Sequence, residues 1–107
     1  MEMASESRRS MTAVLDLLGQ RWNMRILWEL RGGPLGFLEL RRRTDDISSS
    51  VLATRLRTLV DARVLLKDSD GSYRLTELGD ELGPALEPLW LWAQRWNEGR
   101  HTDDHRP

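Results

Sequence analysis

The chain has 107 residues, with 16 basic and 17 acidic side chains, a net charge of −1 and no cysteine. This length suits one domain, and the lack of cysteine excludes disulfides, thiolate nucleophiles and thiol-based redox sensing. No apolar run approaches the roughly 20 residues needed to span a bilayer, and no signal-peptide core is present, so we expect a cytoplasmic protein without membrane association.

The N-terminal third predicts a polar tail and two helices. Residues 1–10 are polar and should form a flexible tail, and the folded domain should span residues 11–98. Met11–Leu18 predicts a short apolar-rich helix. The next helix, predicted over Trp22–Leu30, is apolar almost all round, which indicates a place in the core or contact with another subunit. The Gly-Gly-Pro run in Arg31–Pro34 should end it.

The central segment has the order of a DNA-reading unit. Phe37–Thr44 predicts a short helix, Asp45–Ile47 a turn, and Ser48–Ala62 a second helix. Two β-rich runs follow, Val64–Lys67 and Tyr73–Leu75. Helix, turn, helix and hairpin is the order of a winged helix-turn-helix, whose second helix enters the major groove. The sequence therefore predicts a mainly α (α+β) fold with a short two-stranded wing.

The second helix is amphipathic. Leu52, Leu56 and Leu59 fall within about 40° on a helical wheel, so this stripe should face the body. Ser48 is the predicted N-cap. Hydroxyls can bond phosphates or base edges, and an arginine fork suits guanine. Either DNA contact or a plain solvated surface fits the opposite face, and the surrounding elements favour DNA contact. That face carries Ser50, Thr54, Arg57, Thr58 and Asp61, with Arg55 on one flank.

Charge is unevenly distributed along the chain. Residues 36–67 hold seven basic and four acidic side chains, a balance of +3, whereas the rest totals −4. One basic face suffices for phosphate contact. Arg41, Arg42 and Arg43 either contact DNA or complement the dipole of the helix that they end.

The C-terminal segment predicts a long helix from an N-cap at Thr76 to about Asn97, followed by a flexible tail over 99–107. Pro84 and Pro88 should kink or break this helix into two pieces. Its apolar surface is broader than one small domain can cover, which favours an association surface over a ligand pocket or ordinary core. The predicted interface between two copies comprises Leu15, Leu18, Trp28, Leu86, Leu89, Trp90, Trp92 and Trp96.

Catalysis is not expected. The two histidines, His101 and His105, lie in a polar tail with no acidic or cysteine cluster at ligand spacing, so no metal or other cofactor is predicted. No acid–base pair, nucleophile constellation or phosphate loop is evident. The glycine-rich run Gly32–Gly36 follows a helix and lacks a Lys-Ser/Thr end, so we interpret it as a connection between helices.

Five segments in order resemble the HxlR family of winged-helix transcriptional regulators, which is related to the MarR group. The resemblance covers about residues 14–96. It implies a homodimer built from the N- and C-terminal helices, with two recognition helices in adjacent major grooves of an operator. The segments are Leu15–Trp22, Ile26–Leu30, Phe37–Arg41, Ile47–Leu59 and Tyr73–Gly79.

The same resemblance assigns DNA-reading roles to six residues and exposes three departures. The matching positions are Ser48, Ser49, Ser50, Thr54, Arg55 and Arg57.

Many members carry a Cys-Pro pair where this chain has approximately Arg9-Ser10. Arg63 replaces the glycine that family members usually have after the recognition helix. An arginine in the left-handed conformation would be strained, so we expect this helix to end differently. The wing is short, and Asp68 and Asp70 would repel phosphate that Lys67 and Arg74 could bind.

The sequence thus predicts a sequence-specific DNA-binding regulator that acts as a homodimer on an inverted repeat in double-stranded DNA. Residues 48–62 form its recognition helix. One alternative is a winged-helix protein-interaction module without DNA binding. Another is a regulator that responds to an unknown small-molecule effector in a tryptophan-lined pocket, with walls among Trp22, Trp28, Trp90, Trp92 and Trp96.

Overall fold

The computed structural model describes residues 2–104, with side chains from 4 to 100. Five helices and a two-stranded antiparallel sheet confirm the predicted mainly α winged helix-turn-helix. The elements are α1 (Glu2–Gly19), α2 (Asn23–Glu29), a 3₁₀ turn (Leu30–Gly32), α3 (Phe37–Arg43), α4 (Ser49–Asp61), β1 (Leu65–Lys67), β2 (Tyr73–Leu75) and α5 (Glu77–Asp104).

The core lies where α2, α3 and α4 meet β1. The predicted stripe of α4 is confirmed, because Leu52, Leu56 and Leu59 are each at most 1% exposed. Burial of each such leucine contributes about 1.5–3 kcal/mol, so this stripe fixes which face of α4 points outward. The other buried apolar residues are Ile26, Leu27, Leu30, Leu40, Ile47, Val64 and Leu65.

The junction of α1 and α2 differs from the prediction. The helix expected from Trp22 begins at Asn23, because Trp22 adopts a left-handed backbone with φ 82°. Asn23 is fully buried, and its amide donates a 2.7 Å hydrogen bond to the backbone carbonyl of Leu17. A bulky residue at positive φ is strained, and the hydrogen bond from the buried Asn23 side chain helps to hold the turn in place.

Both terminal helices are longer than predicted. Residues 2–10 and 99–104, which we predicted to be flexible tails, are helical. Glu, Met, Ala and Arg in residues 2–10 favour helix, and extending an existing helix at either end needs no new nucleation. Met1 and residues 105–107 lie outside the described part of the chain.

The predicted break in the last helix is wrong. Pro84 and Pro88 both lie inside α5, which continues for 28 residues. The two prolines are four residues apart on one exposed side of the helix, where water can bond the carbonyls left without an N–H donor. The predicted N-cap is confirmed, since Thr76 Oγ1 accepts from the Gly79 N–H at 3.0 Å.

Helix α4 ends in a left-handed residue, contrary to the expectation from the sequence. Arg63 has φ 65°, its N–H donates to the Val60 carbonyl, and the Val64 N–H donates to the Leu59 carbonyl. This is the paired hydrogen bonding of a Schellman motif. Leu59 and Val64 are both buried, so their contribution to the core offsets the strain at Arg63.

The wing is paired on both sides of β2. Its antiparallel register places Leu65 opposite Leu75 and Lys67 opposite Tyr73. Leu35 forms a further bridge to Tyr73, with N–H···O distances of 3.0 and 2.8 Å. The end of the sheet nearest the wing tip is thereby fixed to the loop that precedes α3. Within residues 2–104, no helix combines the length and apolarity required to cross a membrane.

Candidate nucleic-acid interface

The outward face of α4 is polar and accessible. Ser50, Thr54 and Arg57 are exposed, and Thr58 is half-buried. Ser48 caps the helix as predicted, because its Oγ accepts from the Val51 N–H at 3.2 Å. With the leucine stripe buried on the other side, this face is the part of α4 that can approach a duplex. Ser49, also assigned to DNA, is exposed in the first turn.

Two threonine hydroxyls on this face donate hydrogen bonds to the helix backbone. Thr54 Oγ1 donates to the Ser50 carbonyl at 2.9 Å, and Thr58 Oγ1 donates to the Thr54 carbonyl at 3.0 Å. While these bonds hold, each oxygen offers lone pairs outward. Such oxygens suit the amino groups of adenine or cytosine in the major groove, rather than phosphate oxygens, which need a donor.

Arg57 faces a cavity between α4 and the wing. It makes no hydrogen bond or ion pair within the part of the chain that the structure describes. The cavity has a volume of about 450 Å³ and also contains Lys67, whose Nζ lies 5.6 Å from the ring centre of Tyr73. Two cationic side chains that line the same cavity, here Arg57 and Lys67, can bind one phosphate group together. Phe37, Ala53 and Val60 form the remaining walls.

The arginines at the end of α3 are engaged within the chain. Arg41 Nε donates to the Ile47 carbonyl at 2.8 Å and so holds the turn before α4. Arg42 and Arg43 both pair with Glu39. The hydrogen bond from Arg43 is the main reason that the pKa of Glu39 lies below its ordinary value. Glu39 therefore offsets part of the positive charge, and all three arginines lie in the last turn, where cations favour the helix dipole.

Arg55 bonds within the chain, to partners that the sequence did not indicate. Its Nε donates to the Arg21 carbonyl at 2.9 Å, and its Nη1 donates to Gln20 Oε1 at 3.3 Å. These partners lie in the junction of α1 and α2, more than 30 residues away along the chain. Arg55 thus attaches α4 to the end of α1.

The wing tip carries little free positive charge. Arg74 Nε and Asp68 Oδ1 form a 2.9 Å ion pair. Asp70 accepts hydrogen bonds from the side chain and backbone of Ser72, which lower its pKa, so its carboxylate is ionised at neutral pH. Lys67, by contrast, forms no ion pair with a described carboxylate.

The terminal helices expose a large apolar surface. Of the predicted interface residues, Leu15 is 62% exposed and Leu89, Trp92 and Trp96 are 45–51% exposed. Met11 and Val14 extend the exposed surface on α1. Two further predicted residues, Leu18 and Leu86, are half-buried.

The remaining two predicted interface residues contact each other. Trp28 of α2 and Trp90 of α5 meet edge to face, with ring centres 4.2 Å apart. They line a cavity beside the exposed apolar surface. In residues 4–100, no group of three or more His, Asp or Glu side chains could hold a metal ion.

Comparisons with known proteins agree with this geometry. A model of the HxlR-like helix-turn-helix family matches residues 17–101. The HTH-type transcriptional regulator YodB of Bacillus subtilis (strain 168) is 33% identical over 98 residues, which cover 86% of this chain and 88% of YodB. An uncharacterized HTH-type transcriptional regulator of Mycobacterium tuberculosis, Rv3095, is 34% identical over 81% of this chain and 58% of its own length.

Two solved structures share the arrangement of elements. Quinone-bound YodB superposes with a TM-score of 0.75 and 32% identity, over 80% of this chain and 96% of that chain. A possible HxlR family transcriptional factor from Thermoplasma volcanium GSS1 gives a TM-score of 0.73 and 30% identity, over 79% of this chain and 82% of the other.

Proposed function

This chain belongs to the HxlR-like helix-turn-helix family of transcriptional regulators, and from that membership we propose that it binds an inverted-repeat operator as a homodimer. Each copy places α4 in the major groove of double-stranded DNA. The regulator needs no cofactor for this activity and carries out no chemistry on the DNA.

The observation that carries the proposal is the outward face of α4. The side chains of Ser50 and Thr54 are exposed near its start, where they can reach base edges. Arg57 follows one turn later with no partner among the described residues, so it can pair with guanine or phosphate without breaking an internal contact. Lys67 on the wing lies at the same cavity and adds a second cation.

The apolar surface of the terminal helices supports the homodimer. Leu15 on α1 and Leu89, Trp92 and Trp96 on α5 are too exposed for a protein that works alone. A second copy can cover both stripes at once. Two-fold symmetry then presents two α4 helices to half-sites about 34 Å apart, one turn of the duplex.

DNA binding is tested by selecting random duplexes with the purified chain at two salt concentrations. We expect an enriched inverted repeat and an affinity that falls steeply as salt rises. Arg57→Ala should then weaken binding about 5- to 150-fold, which corresponds to about 1–3 kcal/mol. Arg21→Ala is the matched control, because it removes an exposed arginine outside α4 and outside the proposed dimer stripes and should leave affinity unchanged.

Selection without enrichment at either salt concentration would contradict the proposal. It would favour the protein-interaction module, in which the polar face of α4 is a solvated surface. Equal affinity of Arg57→Ala and the parent would remove Arg57 from the interface while leaving DNA binding intact.

The dimer is tested by sedimentation of Leu15→Glu and Leu89→Glu. Each variant places a charge within an exposed apolar stripe, so we expect a monomer with strongly reduced operator affinity. Leu38→Glu is the control: Leu38 is 73% exposed on α3, away from α1 and α5, and its replacement should leave a dimer. A parent chain that sediments as a monomer would refute the homodimer.

A response to a small molecule is the second candidate function. The cavity at Trp28 and Trp90 supports it, since tryptophan-lined cavities suit planar ligands. The structure of YodB in complex with a quinone gives a precedent for a bound small molecule in a similar protein.

A further inference from the structure

The cavity beside Trp28 lies where the body of the domain meets its last helix. It has a volume of about 330 Å³ and lies between the α2–3₁₀ segment and α5. This volume is at the small end of protein ligand sites, so it suits a molecule of one or two rings. Its walls are Trp28, Arg31, Glu87, Trp90, Leu91 and Gln94.

Arg31 is the distinctive group in this cavity. Its guanidinium carbon lies 3.4 Å from the ring centre of Trp28 and 4.9 Å from that of Trp90. No carboxylate in the described part of the chain forms an ion pair with it, although Glu87 lines the same cavity. A guanidinium stacked on an indole keeps its in-plane N–H donors free, and those donors match a carboxylate in a bidentate pair.

We propose that this cavity binds a planar aromatic carboxylate that carries a hydrogen-bond donor at its far end. The carboxylate pairs with Arg31, and the ring packs against Trp90 and Leu91. Glu87 accepts from a hydroxyl or amino group on the ring, and the Gln94 amide offers a donor and an acceptor beside it. An aliphatic acid lacks the aromatic contact with the indoles, and a neutral aromatic leaves Arg31 without a counter-ion.

The position of the cavity gives this site a regulatory consequence, which rests on the proposed dimeric DNA-binding function. One wall belongs to the segment that packs in the core, where Leu27 and Leu30 are each 2% exposed. The other wall belongs to α5, the proposed dimer helix. A ligand that bridges the two walls fixes the angle between them and therefore the separation of the two α4 helices.

The test uses calorimetric titration of the full chain, without DNA, with 6-hydroxy-2-naphthoate and with its neutral amide. We expect the acid to bind at least tenfold more tightly than the amide. Arg31→Gln should lower affinity for the acid at least tenfold while leaving the amide unchanged. Arg31 is exposed, and thermal melting of the variant checks that its fold is retained.

Arg57→Ala is the matched control, since it removes a free arginine from α4 and should bind the acid like the parent. It also separates the two proposals, because it loses DNA affinity and keeps ligand affinity. No binding of the acid by the parent, equal binding of acid and amide, or equal binding by Arg31→Gln would overturn the site. Dissociation of a dimer by Arg31→Gln without ligand would also overturn it, because a second copy would then occupy the cavity.

Discussion

Replacing Gly79 with alanine should destabilise this domain, although the same change favours most helices. Gly79 lies in the first turn of α5, directly against the strand side of the domain. A Cβ built on it would lie 2.2 Å from the Val64 carbonyl oxygen and 3.3 Å from Leu75 Cδ2, whereas ordinary contacts are 3.4–4 Å. The start of α5 would therefore have to move by about 1 Å.

The cost can be estimated from the contacts at this point. The Val64 oxygen accepts a 3.1 Å hydrogen bond from the Thr76 N–H, and moving α5 weakens it. A hydrogen bond of this kind contributes about 0.5–1.5 kcal/mol, and overpacking costs about 1–3 kcal/mol. Alanine regains up to about 1 kcal/mol of helix propensity. We expect a net loss of about 1–3 kcal/mol in the free energy of unfolding.

Urea denaturation followed by circular dichroism, at one protein concentration, measures this difference. Gly99→Ala is the matched control on the same helix, because a Cβ at that position would have no neighbouring atom within 4 Å and no proline follows it. It should stabilise the chain by up to about 1 kcal/mol. The opposite sign of the two changes is the decisive result. An unfolding midpoint of Gly79→Ala equal to or above that of the parent would refute the steric argument.

Two further predictions concern the helix-turn-helix itself. Ser48→Ala removes the oxygen that accepts from the Val51 N–H, so it should lower the free energy of unfolding by about 1 kcal/mol in urea; an unchanged midpoint would mean that the cap contributes nothing. For Glu39, the hydrogen bond from Arg43 holds the pKa below 4.5, so its stabilisation is full above pH 4.5 and is lost as pH falls through the lowered pKa. The difference in urea midpoint between the parent and Glu39→Gln should disappear over that acid range, and a difference independent of pH would contradict the ion pair.

Local periodicity was enough to predict the recognition unit. Leu52, Leu56 and Leu59 repeat at helical spacing, and a serine precedes them, so both the buried side and the start of α4 followed from the sequence. The wing followed from two β-rich runs around a glycine turn. In each case the determining residues lie within a few positions of one another, where pattern and conformation are directly linked.

Features that depend on distant partners were not predictable in the same way. The wheel placed Arg55 on a flank of α4 but could not indicate that Arg21 and Gln20 would receive its hydrogen bonds. The positive φ of Trp22 likewise runs against residue preference, because the turn out of α1 sets it. Pro84 and Pro88 were expected to break α5 because proline removes a backbone hydrogen-bond donor from a helix. The sequence does not show that both prolines lie on an exposed side, where water can bond the carbonyls left without a donor.

The two-sided pairing of β2 separates the wing into parts that can evolve independently. Leu35 and Lys67 flank Tyr73 at the last pair of the sheet, whereas the tip beyond it is closed by hydrogen bonds among residues 68–72 and by the ion pair of Asp68 with Arg74. Insertions in that tip would leave the strand hydrogen bonds untouched. A descendant of this chain could thus lengthen or shorten its wing by changing a few codons while the scaffold that carries α4 remains the same.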